Sequence, residues 1–222
     1  MSHLISRLSL TLIMVGVCSS TRAEIILVDS FDMPLSNPTI PAGVFSYETG
    51  IGELNAERFT SAFGRNNLPN TVSASIANGS LQLSTTAIDD GNFIFDYIFE
   101  NPIDLGSIPN WAIVLDITAI SDAVDIQPFV MLGSSSGQSS ILRQGFSISS
   151  PSSITLASNA DLASSGFGAG ADLGSIEALQ FELGVSAGGG LVIDSLRIIP
   201  EPSAVMVLLA TGVLFANLRR RD

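Results

Sequence analysis

Carboxylates dominate the reactive side chains in the body of this chain. Between residues 24 and 199 there are nineteen Asp and Glu but only four arginines, Arg58, Arg65, Arg143 and Arg197, and lysine is absent throughout. Asp96, Glu100, Asp116 and Glu182 fall at the polar positions of alternating apolar segments. Two such carboxyls about 5–9.5 Å apart can cleave a glycosidic bond, one as general acid and the other as nucleophile or base. Alternation also predicts plain solvated carboxylates at these positions. Tyr47 is the one tyrosine in an irregular stretch, where its ring could stack on a sugar or lie under a loop. Tyr97 and Trp111 fall on apolar faces and read as core.

Calcium is the second chemistry open to acids, because it takes six to eight oxygens, chiefly from carboxylates and carbonyls. Asp29 and Asp32 lie near the first expected strand and Asp194 near the last. These three converge if the first and last strands are neighbours, giving a structural calcium site. Asp89-Asp90-Gly91-Asn92 is also oxygen-rich, but it lacks the spacing of an EF-hand loop and reads as a hairpin turn. No other cofactor is expected.

Several classes drop out. The only cysteine, Cys18, and the only histidine, His3, lie within the first 23 residues. If that segment is removed, the mature chain has no histidine- or cysteine-based nucleophilic triad. It also has no imidazole or thiolate zinc site and no disulfide. A phosphate loop ending in lysine is excluded with lysine itself. A net charge of −12 without a basic stripe argues against nucleic acid as a partner.

The elements that must position these groups are strands. The chain is 46% hydrophobic and only 14% charged, too apolar for a disordered tail. Short alternating runs at 24–28, 71–76, 80–85, 92–100, 111–119, 126–132, 141–149, 153–157, 178–185 and 191–199 are separated by Gly, Ser, Asn and Pro turns. Residues 33–70 are the least regular and predict a long surface loop with one or two short strands. Phe93, Phe95, Tyr97 and Phe99 share one face; Trp111, Ile113, Leu115 and Ile117 share another. Ten strands with one apolar face each predict an all-β fold, a two-sheet antiparallel β-sandwich.

Two local signals refine this. Asp104-Leu-Gly-Ser-Ile108 recurs as Asp172-Leu-Gly-Ser-Ile176, and both precede alternating strands, as related corners would. The apolar phase switches at Asp194-Ser195, which predicts a β-bulge. The run from "DLGSIEALQFEL" through "VIDSLRI" resembles the final hairpin of carbohydrate-binding-type jelly rolls. That resemblance implies a jelly roll rather than a ligand.

The two ends read as addresses. "MSHLISRLSLTLIMVGVCSSTRA" has a weakly basic start, an apolar stretch and small residues before Ala23, the three parts of a secretory signal. Cleavage is expected after Ala23. At the other end, Pro200, Glu201 and Pro202 precede an apolar run over 204–218 and then Arg219, Arg220 and Arg221. As a helix that run is about 22 Å long, short for a permanent span. The arginines would stay on the cytoplasmic side. This tail resembles the PEP-CTERM sorting signal of Gram-negative bacteria, in which an exosortase is thought to recognise Pro-Glu-Pro and remove the tail. The N-terminal signal implies signal peptidase as an export partner, and the resemblance implies an exosortase, with the protein held transiently at the inner membrane.

The sequence therefore predicts a signal peptide (1–23, helical), a β-sandwich domain (24–199) and a sorting segment (200–222, an apolar helix). The expected function is non-catalytic: a structural or binding protein of the cell surface or extracellular polysaccharide. The alternatives are a carboxylate-dependent glycoside hydrolase or lyase, and a calcium-stabilised adhesion module.

Overall fold

Strict alternation over Phe93, Phe95, Tyr97 and Phe99 makes one long strand with a wholly buried face. The computed structural model describes residues 25–200 apart from 38, 67, 69, 109, 122–123 and 163–169. Fourteen strands follow in chain order: β1 Ile26–Asp29, β2 Ile40–Pro41, β3 Phe45–Ile51, β4 Ala56–Gly64, β5 Val72–Ala77, β6 Ser80–Thr85, β7 Gly91–Ile103, β8 Trp111–Ile120, β9 Val124–Ser134, β10 Gly137–Leu142, β11 Phe146–Ile148, β12 Ser152–Ser158, β13 Ile176–Val185 and β14 Gly190–Pro200.

They form two seven-stranded sheets. The first runs β12-β8-β14-β6-β5-β2, with β1 also paired to β14; the second runs β10-β9-β13-β7-β4-β3, with β11 also paired to β9. Every pairing is antiparallel. The chain changes sheet repeatedly, as from β6 to β7 and back to β8, so the architecture is a two-sheet sandwich of jelly-roll type. The inner faces meet in one core containing Trp111, Ile113 and Leu115 from the first sheet and Phe93, Phe95 and Phe181 from the second. Phe95 and Phe181 are stacked with centroids 4.6 Å apart, and truncating a phenylalanine in such a core costs about 3–5 kcal/mol.

Local chemistry explains several joints. Asn78 and Gly79 both adopt positive φ (53° and 71°) between β5 and β6, the tight turn that matches strand twist in a hairpin. Gly52 (φ 61°) lets the β3–β4 corner approach β1: a Cβ there would lie 2.2 Å from the Val28 carbonyl oxygen. The repeated turns touch one another, Gly106 N donating to Leu173 O at 2.9 Å. In each, the aspartate accepts a backbone N–H: Asp104 Oδ1 from Ser107 N and Asp172 Oδ1 from Gly174 N, both at 2.9 Å. The register of β14 against β8 shifts at Val192/Ile193 and Ile193/Ser195, which is the bulge expected at Asp194-Ser195.

Four expectations need correction. Residues 33–70 are not chiefly a loop, since they hold β3 and the nine-residue β4, an interior strand between β7 and β3. The expected strand over 141–149 is two, β10 and β11, both paired to β9. The Asp89–Asn92 segment turns the chain from one sheet to the other rather than closing a hairpin. Its Asp89 is buried and accepts from Asn66 N at 3.0 Å and Thr71 Oγ1 at 2.8 Å. The last strand runs through Pro200, opposite Trp111, one residue beyond the expected boundary. Among the described residues no helix is long and apolar enough to cross a membrane. The expected signal helix, Ala23, and the tail from Glu201 to Arg221 lie outside them.

Candidate functional site

Strands β3 and β4 carry an inverted pattern. Ser46, Glu48, Arg58 and Thr60 face the interior and are buried. Phe45, Tyr47, Phe59 and Phe63 take the alternate positions and face out. The inward arginine makes this tolerable. Arg58 Nη1 lies 2.6 Å from Asp29 Oδ2 and its Nε 3.1 Å from Glu48 Oε2; its Nη2 donates to the Met33 carbonyl at 3.0 Å. Its guanidinium carbon sits 5.9 Å from the Phe31 ring centroid.

The acids are satisfied from other sides. Asp29 also accepts from Phe31 N (2.7 Å) and the Tyr97 hydroxyl (2.9 Å). Glu48 accepts from Ser36 N (2.8 Å) and from the Ser46 hydroxyl. Burial alone would lower the Arg58 pKa, but Asp29 and Glu48 outweigh it and hold the group above its ordinary value. Burial, followed by the Asp29 charge, pushes the Tyr97 hydroxyl well up, so it stays a donor.

This network bears on the three acids considered for calcium. Asp29 is buried against Arg58, while Asp32 and Asp194 are exposed. Among the described residues no three acids group as a metal site would require. The first and last strands are neighbours as expected, yet the cation at Asp29 is a guanidinium supplied by β4.

The outward side chains of the second sheet line up across strands. Backbone register places Tyr47 beside Phe59, Phe59 beside Asp96, Asp96 beside Gln180, and Gln180 beside Met131. The adjacent row holds Phe45, Ser61, Ile94, Glu182 and Phe129. The rings of Tyr47 and Phe59 pack 4.5 Å apart at 37°, yet Tyr47 remains 41% and Phe45 68% exposed. Packing against the sheet and then the Glu57 carboxylate beside it raise the pKa of the Tyr47 hydroxyl. Gln180 Nε2 donates to Asp96.

A groove of about 370 Å³ runs beside this platform, lined by Phe59, Asp96, Ile98, Met131, Gln138 and Gln180. Further depressions lie on the same face, one at Asn92, Gln127 and Gly184, the other at Glu57, Ile98 and Glu100. Asn92 and Glu100 are both on β7, so the track is about 26 Å long at roughly 3.3 Å per residue.

The candidate carboxylates separate. Asp96, Glu100 and Glu182 lie on this face, Glu100 accepting from Asn55. Asp116 is on the opposite sheet and is already engaged: Arg197 approaches at 2.6 Å, Ser195 donates at 2.6 Å and Ser153 at 2.6 Å. Trp111 and Tyr97 are in the core, as their phase requires. Tyr47 is on a strand rather than in a loop. Sequence reasoning missed Phe59, Glu48 and Arg58, because the usual apolar-in rule would turn Phe59 and Phe63 inward. The available signal was the small residues flanking Arg58 in the same phase, Ala56 and Ala62, which leave room for a buried guanidinium.

No curated protein sequence matches the chain. Among solved structures it is similar to the carbohydrate-binding module CtCBM11 at 16% identity, covering 83% of this chain and 99% of that chain with a TM-score of 0.45. A family 11 carbohydrate-binding module of a cellulosomal cellulase of Clostridium thermocellum is similar at 13% identity over 82% of this chain and 97% of that one, with a TM-score of 0.39. An exo-beta-agarase is similar at 14% identity and a TM-score of 0.43 over 81% of this chain. The chain spans only 25% of that agarase and 23% of PfGH50B, another match. These likenesses are of fold. Residues 199–221 match the PEP-CTERM protein-sorting motif, so the chain carries an address for export and surface sorting.

Proposed function

We propose that this is an exported surface or extracellular protein whose sandwich binds polysaccharide, without catalysis, along the outer face of the second sheet. The observation that carries the reading is the outward-facing Tyr47–Phe59 pair, Tyr47 exposed and Phe59 half-buried, beside Asp96 and Gln180. Aromatic faces stack on the apolar faces of sugar rings, while amide and carboxylate oxygens accept from ring hydroxyls. A track about 26 Å long, at the strand rise used above, suits a chain rather than a monosaccharide. On this reading signal peptidase cuts after Ala23, residues 204–218 hold the protein transiently in the inner membrane, and an exosortase acts at Pro200-Glu201-Pro202. The test is electrophoresis of the exported protein through gels containing soluble polysaccharides. Retardation that Tyr47→Ala abolishes is expected; unchanged mobility in neutral, amine-bearing and uronate polymers alike overturns the reading.

One observation favours a second reading, a carboxylate-dependent glycoside hydrolase or lyase. Glu182 sits diagonally from Asp96 across β13 and β7, about 7–8 Å between Cα atoms, and partial burial raises the Glu182 pKa as a general acid requires. New reducing or unsaturated chain ends, lost in Glu182→Gln, would establish it.

A further inference from the structure

The outer face of the second sheet is acidic as well as aromatic. Glu57, Asp96, Glu100, Glu182 and Asp125 all lie on it. The four arginines of the domain offer it little. Arg58 is internal, Arg197 is tied to Asp116 on the other sheet, and Arg143 turns to Thr155 and Asp161. Arg65 lies at one end, 3.3 Å from Asp90.

Within this face Glu182 is distinctive. Register sets it between Ile94 on β7 and Phe129 on β9. It is half-buried among these apolar neighbours, and that burial raises its pKa. An unpaired carboxylate partly removed from water is costly, and an incoming cation offsets that cost. The aromatic platform lies in the neighbouring row, two and three strands away on β4 and β3, so about 10 Å or more from Glu182, a distance that a sugar chain spans with a cation on one ring and stacking at another.

We infer that the polysaccharide bound here carries protonated amines, as a partly N-deacetylated amino-sugar polymer does, with an ammonium seated at Glu182 and a ring on the Tyr47–Phe59 pair. This rests on the polysaccharide-binding reading. The field of the face attracts such a polymer and repels one bearing uronates.

The test compares retardation of the full exported protein by an amine-bearing amino-sugar polymer, the same polymer fully N-acetylated, and a polyuronate. Affinity for the amine form should exceed that for the acetylated form about fivefold at low salt, the upper range of a partly exposed ion pair. The preference should shrink in roughly 1 M salt, where charges are screened beyond about 3 Å. Glu182→Gln should bring the two polymers to within about twofold of each other. Equal binding of both forms by the unaltered protein overturns the inference and leaves polysaccharide binding standing; no binding to any polymer overturns both. A preference that survives in Glu182→Gln overturns the seat at Glu182. Polylysine bound as tightly as the amine polymer, and equally by Tyr47→Ala, overturns sugar recognition in favour of generic charge attraction.

Discussion

The two outer faces of this sandwich are built from the same kind of alternating strand and end in opposite states. On the first sheet the polar groups answer one another. Asp116 is bound by Arg197, Ser153 and Ser195, Ser73 bonds Ser84 at 2.8 Å, and Thr118 donates to the Val192 carbonyl. On the second sheet Gln180 and Asn55 engage Asp96 and Glu100, yet the Tyr47 and Phe45 rings stand open and half-buried Glu182 has no hydrogen-bond or ion-pair partner among the described residues. A face that satisfies itself has little to gain from a ligand; one that leaves aromatic area and a half-buried charge exposed does.

The contrast can be broken most severely from inside. Arg58 alternates with Phe59 on β4 as Glu48 does with Tyr47 on β3, so the buried network holds the backbone that presents the platform. Arg58→Ala leaves Asp29 and Glu48 as uncompensated buried charges. It should cost about 3–5 kcal/mol, read as a lowered denaturation midpoint, and should take ligand binding with it. An unchanged midpoint would mean the network does not support the second face. Next in size, Tyr47→Ala should weaken polysaccharide retention about tenfold, as loss of a central aromatic contact does, with little change in melting temperature. A variant that melts much earlier would recast Tyr47 as a packing residue.

Asp116→Asn addresses the self-satisfied face. Its ion pair is partly exposed, so the loss should be below about 1 kcal/mol and polysaccharide retention should not change. Partial burial alone would raise the Asp116 pKa, but hydrogen bonds from Arg197, Ser153 and Ser195 lower it below the ordinary carboxylate value. Its contribution is therefore full above the unfolded pKa of about 4 and is lost as pH falls through the lower folded value. Acid titration of stability should be shallower in Asp116→Asn below about pH 4 than in the unaltered protein. Smallest of all, Ser84→Ala should stay within about 0.5 kcal/mol in chemical denaturation, since Ser73 and Ser84 can both bond to water instead.

Where one face of a strand is uniformly apolar, the architecture could be read from the chain. The aromatic run of β7, the Trp111 run of β8 and the phase switch in β14 each state which side is buried. Strands β3 and β4 could not be read this way. Their inward positions hold Ser46, Glu48, Arg58 and Thr60, and the side that looks apolar is the one exposed to solvent. That inversion also hid half of the candidate site. Tyr47 was visible as an aromatic outside the core pattern, but Phe59 pairs with it only through the register of two strands that did not look like strands. The surroundings of Asp29 were hidden for the same reason. The calcium reading placed β1 beside β14 correctly, and it lacked the strand that delivers Arg58 to Asp29.

Pro200 belongs at once to the last rung of β14 and to the beginning of the sorting motif. No spacer separates the ladder from the motif. β14 is held along its length by β8 and by β6 and β1 in turn. A pull applied through the C-terminus along the β14 axis, as by a surface attachment in flowing medium, would therefore load those backbone bonds together in shear rather than peeling them one at a time.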